Sequence, residues 1–273
     1  MLYLSTRNNQ ETYTAARVLA ESRAPDGGLF VPYYTAPFPR EDLEKIAQQS
    51  FNDTVARLLN IQFQTHLTGN DIRLLVGRSP VRLQQLSNRI YAAECWHNLR
   101  SSYAHLVKSL VLHIFPDAAT ISGSWAEVGV GACVLFGIFG ELMGSGLVSF
   151  DKKADVSLVC GDFSLAMSCW YARRWGLPIE NIVCCCNENN TLWNLFAHGA
   201  MRTDTVSVPT LAPDADIAVP VSLERLIHGC GGAKEAEAYV QKLRLGANYY
   251  PEDALLNKLR RGAAIPEYLS YIR

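Results

Sequence analysis

Two strand–helix units follow one another in the second half of the chain, and this alternation restricts the possible folds more than any other feature. Residues 156–160 (VSLVC) have the length and apolar character of a buried strand, and a helical pattern follows them and ends near Trp175. Residues 182–186 (IVCCC) lead into a second helical pattern that ends near His198. Strands that alternate with helices favour a parallel sheet covered on both faces. The sequence therefore predicts an α/β fold.

Helical periodicity predicts most of the remaining elements. The predicted helices lie at 12–21, 40–49, 53–63, 71–76, 103–114 and 125–143, with further helical patterns from 223, 233 and 252. A short strand is predicted at 29–31, between a glycine turn and prolines that keep the chain extended. These patterns divide the chain into three predicted regions, which are a mostly helical N-terminal region (1–88), an α/β core (89–228) and a helical C-terminal segment (229–273).

The most apolar run, 128–140, lies between Glu127 and Glu141. A membrane-spanning helix needs about 20 apolar residues, so this shorter run predicts a buried core helix. Its four glycines predict that other elements approach it closely. The net charge of -1 gives no electrostatic reason to expect a nucleic-acid or membrane partner, and we expect neither.

The chain has 8 cysteines, but their spacing favours neither a metal site nor a disulfide framework. No Cys-x-x-Cys pair is present, and the consecutive cysteines at 184–186 would alternate in direction along a strand. We therefore expect no metal ligands, and we expect reduced cysteines that pack as small apolar side chains. The N-terminus also lacks the apolar segment of a signal peptide, so the sequence predicts a cytoplasmic protein.

Several short segments, in the same order along the chain, carry a family resemblance. They are YLSTR at 3–7, APDGGLFVP at 24–32, WGLPI at 175–179 with NENN at 187–190, PDADI at 213–217 and LERL at 223–226. In series they resemble the threonine synthases, which are fold-type II enzymes that depend on pyridoxal phosphate (PLP). The resemblance implies a fold-type II parallel sheet with flanking helices and a mostly helical threonine synthase-like N-terminal domain. It also implies the chemistry of a lyase of amino-acid biosynthesis.

The residue that tethers PLP in this family is not matched. The segment 94–105 resembles the one in which threonine synthases carry His-Gly-Pro-Thr-x-Ala-Phe-Lys-Asp, whose lysine forms the Schiff base. His97 is kept, but Ala104 stands at the position of the lysine and His105 at that of the aspartate. Lys108, one helical turn further on, and His97 are the two candidates for a catalytic role. We interpret Lys108 as a solvated helix residue and His97 as a structural one.

The phosphate-binding loop of the family is also altered. The matching residues here are Gly161, Asp162, Phe163 and Ser164, where the family has Gly-Asn-Phe-Gly-Asn. Asp162 would place a carboxylate beside a phosphate dianion, and Ser164 removes the second glycine. We interpret Asp162 as an N-cap that accepts backbone N–H groups itself. The loop is therefore predicted to be a remnant of a phosphate site.

The small substrate-closing domain of the family has no counterpart in the sequence. The chain passes from Pro116 through Ser122, Gly123 and Ser124 to Trp125, which resembles a helix that lies beyond that domain. Ser124 is predicted to cap this helix. The chain also ends at Arg273, before the point where the family has its C-terminal pocket segment. The resemblance is therefore to a truncated member.

Three interpretations remain open. We expect a catalytically degenerate threonine synthase-like protein without a cofactor, which acts in binding or in assembly with itself or with an intact homologue. The alternative is a PLP-dependent threonine synthase or carbon–oxygen lyase that acts on O-phosphohomoserine with Lys108 as the substitute lysine. A third is a binder of a small amino-acid-like molecule at the carboxyl ends of the strands. Its polar crevice would consist of Asn187, Glu188, Asn189 and Asn190, which equally suit capping and loop satisfaction.

Overall fold

The N-terminal part of the molecule combines a small sheet with four helices. The computed structural model describes residues 1–78, 80–95, 103–119, 122–261 and 270–271. The antiparallel sheet has the order β2-β1-β3, with β1 (Leu2–Ser5), β2 (Tyr13–Thr14) and β3 (Phe30–Pro32). The helices are α1 (Ala15–Ala20), α2 (Arg40–Ile46), α3 (Phe51–Phe63) and α4 (Gly69–Val76). All four predicted N-terminal helices are thereby confirmed, although α1 is shorter than the pattern predicts because its first residues form β2.

A two-stranded antiparallel hairpin that the periodicity did not predict follows these helices. Its strands are β4 (Arg82–Ser87) and β5 (Ile90–Glu94). Both strands mix polar and apolar residues without strict alternation, and Leu86 and Ile90 are exposed at the hairpin tip. A strand without alternation gives no period-two signal, which is why the hairpin escapes sequence reasoning.

A long buried helix occupies the centre of the molecule. α5 (Tyr103–Ile114) is followed by α6 (Trp125–Gly144), which packs against α3, α5 and α7 (Ser164–Arg174). Ser124 caps α6 as predicted, because its hydroxyl oxygen accepts the N–H of Glu127. The predicted close approach is confirmed: a Cβ atom on Gly137 would lie 2.5 Å from the ring of Phe51. Within the described chain, α6 is the one helix long and apolar enough to cross a membrane, but most of it is buried inside the protein.

The α/β core contains a three-stranded parallel sheet in the order β6-β7-β8. Its elements are β6 (Ala154–Val159), α7, β7 (Ile179–Cys186), α8 (Thr191–His198) and β8 (Ser270–Tyr271). The predicted parallel sheet and α/β class are confirmed. The prediction that helices cover both faces is wrong for β6, where Val159 is 44% exposed. β6 is one of the two edge strands of this sheet in the described chain, and the face that carries Val159 is exposed to solvent.

Three helices complete the described chain. They are α9 (Leu223–Gly231), α10 (Ala233–Arg244) and α11 (Asp253–Arg261), and α9 packs against both of the others. Their starts agree with the three predicted C-terminal helical patterns. The boundaries of the three regions, 1–88, 89–228 and 229–273, stay a prediction.

Candidate functional site

The segments at 3–7 and 223–226, which carry the family resemblance, meet in a buried ion pair. Arg7 donates from Nε and Nη2 to the two carboxylate oxygens of Glu224, at 3.0 and 2.9 Å. The hydroxyl of Thr6 donates to the same carboxylate. Burial disfavours the charge of Arg7, but the hydrogen bond and the charge of Glu224 outweigh it and raise the pKa of Arg7. This pairing joins β1 to α9.

The segment at 24–32 packs against the same contact between the N-terminal sheet and α9. Ser5 donates its hydroxyl to Asp26 at 2.8 Å, and Gly28 passes so close that a Cβ atom there would lie 2.1 Å from the Ser5 oxygen. From the other side, Arg225 donates from Nε to the carbonyl of Phe30 at 2.9 Å. Three of the resembling segments therefore build the contact between the N-terminal sheet and α9.

The helix that matches the coenzyme-binding segment places no amine at the expected position. Ala104 lies in the first turn of α5 and is exposed, and His105 and Lys108 are exposed on the same helix. The hydroxyl of Tyr103 donates to the carbonyl of Gly131 at 2.6 Å and fixes the start of α5 against α6. His97 lies outside the described residues, so its predicted role stays a prediction.

In the altered glycine loop, the carboxylate of Asp162 accepts hydrogen bonds from the loop itself. Asp162 accepts the backbone N–H of Ser164 on Oδ1 at 2.9 Å and the hydroxyl of Ser164 on Oδ2 at 2.9 Å. The hydroxyl of Ser122 also donates to Oδ2, at 2.5 Å. The bond from Asp162 to the N–H two residues later is an Asx turn. The predicted acceptance of a backbone N–H is confirmed at this position.

The helix cap itself lies one residue later than predicted. The N-cap of α7 is Phe163, whose φ of 71° is left-handed and whose side chain is fully buried. The prediction that Asp162 is the N-cap is therefore wrong. The left-handed Phe163 ends the turn, so that Asp162 reaches across it to the first residue of the helix.

Behind the loop lies a buried arginine that sequence reasoning missed. The hydroxyls of Ser164 and Ser222 are 2.9 Å apart, and Arg225 donates from Nη1 to the Ser222 hydroxyl at 3.2 Å. Arg225 is fully buried, and burial lowers its pKa to about 10. Its Nη2 atom has no hydrogen-bond partner within the described part of the chain. The only sequence signal for it was its place in the LERL segment.

Glu127 lies in the first turn of α6, where the charges of both Lys108 and Asp162 act on it. Burial raises the pKa of Glu127 to about 6, and the negative charge of Asp162 adds to the rise. A hydrogen bond from the Gly123 N–H and the positive charges of Lys108 and Arg225 act against it. The charges of the predicted residues Lys108 and Asp162 therefore both act on the Glu127 carboxylate, which the sequence did not single out.

The predicted polar crevice is occupied by a neighbouring loop. Asn187 donates from its amide to Thr210 Oγ1 at 2.7 Å and to Asp216 Oδ1 at 2.6 Å. Asn189 exchanges two hydrogen bonds with the backbone of Val208, at 2.8 and 2.7 Å. The hydroxyl of Thr210 donates to Asp216 and is the main cause of the lowered pKa of that carboxyl. The side-chain amides of Asn187 and Asn189 are therefore engaged in hydrogen bonds to the neighbouring loop.

The other two crevice residues point to no shared ligand. Asn190 is the N-cap of α8, but its side chain makes no capping bond and instead accepts from Asn194 at 3.0 Å. Glu188 is exposed.

A surface groove lies elsewhere, between α3 and α4, and is lined by Asp53, Arg57 and Leu67 among others. In the described residues no three His, Cys, Asp or Glu side chains are grouped to hold a metal ion.

Parts of the chain are similar in sequence to known proteins. Residues 2–79 match the family described as "Threonine synthase N terminus". Human threonine synthase-like 1 is 27% identical over 126 residues, which cover 44% of this chain and 17% of that protein. Threonine synthase of Saccharomyces cerevisiae is 30% identical over 76 residues, which cover 28% of this chain and 15% of the enzyme. The matched parts thus span less than a fifth of these relatives.

The whole fold matches solved structures. PLP-bound threonine synthase from Brucella melitensis superposes with a TM-score of 0.79 at 17% identity, covering 100% of this chain and 78% of that structure. Yeast threonine synthase gives a TM-score of 0.80 at 17% identity, covering 98% and 76%. The fold is therefore that of the fold-type II PLP enzymes. Within that class, the match at residues 2–79 and the sequence relatives confirm the resemblance to the threonine synthases.

Proposed function

We propose that this threonine synthase-like protein performs no Schiff-base chemistry and acts through binding or assembly. The observation that carries the proposal is the state of the glycine loop, where the carboxylate of Asp162 already accepts the Ser164 N–H that an anion cradle would offer to a phosphate. Backbone N–H groups at a helix start bind phosphate only when they are free to donate. A phosphate dianion placed here would also meet the negative charge of Asp162.

The residues around the loop do not fit PLP in a second respect. The position of the tethering lysine holds the exposed methyl group of Ala104, which offers no amine. Glu127, whose pKa of about 6 leaves it largely charged at neutral pH, adds another carboxylate near the loop. Two carboxylates and no tether disfavour a phosphorylated aldehyde.

The experiment is a coenzyme titration of the purified chain. We expect no saturable absorbance change with PLP, no lysine adduct after borohydride reduction and no phosphate release from O-phosphohomoserine. A matched variant, Ala104→Lys with Asp162→Asn and Ser164→Gly, restores the three missing features and is expected to bind PLP at least about tenfold more tightly than the parent, a gain of about 1.4 kcal/mol. A stoichiometric adduct on a lysine of the parent chain would contradict the proposal.

One observation favours the alternative, in which Lys108 replaces the missing lysine. The positive charge of Lys108 contributes to lowering the pKa of Glu127, which lies in the first turn of α6, so Lys108 is the lysine of α5 on the side of the glycine loop. In this case the parent chain binds PLP, releases phosphate from O-phosphohomoserine and loses both properties in Lys108→Ala. Lys45→Ala, on the exposed surface of α2, is the matched control.

Assembly is proposed through the sheet edge at β6, with a second copy of the chain as the partner. Val159 is exposed on this strand, and edge strands present unpaired N–H and C=O groups to other chains. Sedimentation of the same preparation at increasing concentration is expected to show a dimer. A monomer that instead co-sediments with an intact threonine synthase would identify the homologue as the partner. The small-molecule interpretation stays a prediction, and the hydrogen bonds that Asn187 and Asn189 already make argue against it.

A further inference from the structure

Cys160 and Cys186 face one another at the carboxyl ends of two parallel strands. In the sheet, Leu158 pairs with Cys184 and Val159 with Cys185, so the next pair along both strands is Cys160 with Cys186. The N–H of Cys160 donates to the carbonyl of Cys185 at 3.0 Å and continues this register. Neighbouring strands lie about 4.8 Å apart, within the Cα separation of about 4.4–6.8 Å that disulfides require.

The two thiols also share one side of the sheet. Cys160 is 6% exposed and Cys186 is 2% exposed, and alternation places both on the inner face of the sheet. The interaction with the Cys160 thiol lowers the pKa of the Cys186 thiol, burial acts in the opposite direction, and the backbone of Trp193 lowers it further. The same contact raises the pKa of Cys160. Cys186 is therefore the more nucleophilic of the two, because the thiolate is the reactive form.

We propose that Cys160 and Cys186 form a reversible disulfide when hydrogen peroxide reacts with the chain. The Cys186 thiolate attacks one peroxide oxygen, the O–O bond breaks, and the sulfur becomes a sulfenic acid as hydroxide leaves. The Cys160 thiol then attacks that sulfur, the S–O bond breaks, and water leaves with the proton of Cys160. The two sulfurs are oxidised by two electrons in total, and the peroxide is reduced to water.

The bond would join the starting points of the two loops at this edge. Gly161 follows Cys160 and opens the glycine loop, and Asn187 follows Cys186 and holds the loop at 206–218. A disulfide therefore fixes the spacing of both loops with a covalent link. The inference is independent of the proposed function, since it concerns thiol chemistry and does not require a ligand.

The experiment is oxidation of the full chain with hydrogen peroxide, followed by denaturation and alkylation of the remaining thiols. None of the 8 cysteines is in a disulfide in the structure. We expect the oxidised chain to lose two alkylatable thiols without forming a covalent dimer and to regain both after dithiothreitol. Trypsin cleaves after Arg173 and Arg174, so the two cysteines fall in separate peptides, and fragmentation of the linked pair is expected to place the bond between Cys160 and Cys186.

Variants provide a second measurement. Cys160→Ser and Cys186→Ser are expected to lose the linked peptides, whereas Cys184→Ser, on the same face one pleat earlier, keeps them. If a variant fails to fold, the wild-type fragmentation map decides alone. Retention of all eight thiols after peroxide, or a bond that runs through Cys169, Cys184 or Cys185, would overturn the proposal.

Discussion

At the scale of single residues, the molecule is organised around charged groups that are withdrawn from water. Arg225 is fully buried, and its Nη2 atom has no partner among the described residues. Glu127 is partly buried, and the charges of Asp162 and Lys108 act on it. Burying an ionised group destabilises the fold unless partners compensate. The cluster at the glycine loop therefore carries an electrostatic penalty, which is typical of binding sites as well as of their remnants.

The penalty at Glu127 makes stability depend on pH. The pKa of Glu127 rises from 4.5 to about 6 on folding, so the folded state binds the proton more tightly than the unfolded state. The resulting destabilisation is absent below the unfolded pKa, grows as pH rises through the folded pKa, and is complete above it. A shift of this size corresponds to about 2 kcal/mol at most. Glu127→Gln is expected to stabilise the chain by about 1–2 kcal/mol near pH 8 and to lose this advantage near pH 4.

Urea unfolding at the two pH values measures this effect. The glutamine keeps an acceptor for the Gly123 N–H, so the comparison isolates the charge. Glu252→Gln, at an exposed position, is the matched control and is expected to change stability by less than about 0.5 kcal/mol at either pH. A gain that is equal at both pH values would rule out titration of Glu127 as the cause.

At the scale of elements, the sequence predicted the features that depend on local patterns and missed those that depend on contacts between distant residues. The helix α3 and the parallel pair β6 and β7 follow from their own sequences, because their apolar residues have helical or strand patterns, and α6 follows from its continuous apolar run. The β4–β5 hairpin lacks such a pattern. The site was predicted only in part, since Ser222 and Arg225 reach the glycine loop from about 60 residues further along the chain. No local pattern contains such a contact.

The glycines of α6 allow a direct test of element packing. A Cβ atom on Gly137 would lie 2.5 Å from one ring atom of Phe51 and 2.7 Å from the next, and Phe51 is buried. Gly137→Ala forces α3 away from α6 and is expected to destabilise the chain by about 1–3 kcal/mol, although alanine is the better helix former. Thermal unfolding measures the change. Asn257→Ala, exposed on α11, is the control, and a Gly137→Ala chain as stable as wild type would contradict the packing of these helices.

At the scale of the whole molecule, the N-terminal sheet and α9, which are far apart in sequence, are held together by a few buried polar contacts. Arg7 and Glu224 are 217 positions apart in sequence, and their side chains are 8% and 5% exposed. Ser5 and Thr6 extend the same network toward the glycine turn at 27–28. Because these contacts connect the N-terminal sheet to α9, we expect both regions to unfold in a single cooperative transition.

Removing one charge of this pair tests that view. Glu224→Gln removes the carboxylate that Arg7 binds through two nitrogens and leaves only the longer contact with Glu237, at 3.9 Å. Loss of one partner of a buried pair costs about 3–5 kcal/mol, so a cost at the lower end of this range is expected. Glu44→Gln breaks the exposed pair with Arg40, which contributes at most about 1 kcal/mol, and is the matched control. We expect Glu224→Gln to lower the denaturant midpoint far more than Glu44→Gln. We also expect β1 and α9 to lose hydrogen-exchange protection together, because the same ion pair anchors both. Loss of protection in β1 while α9 keeps its own would show that the two regions fold separately.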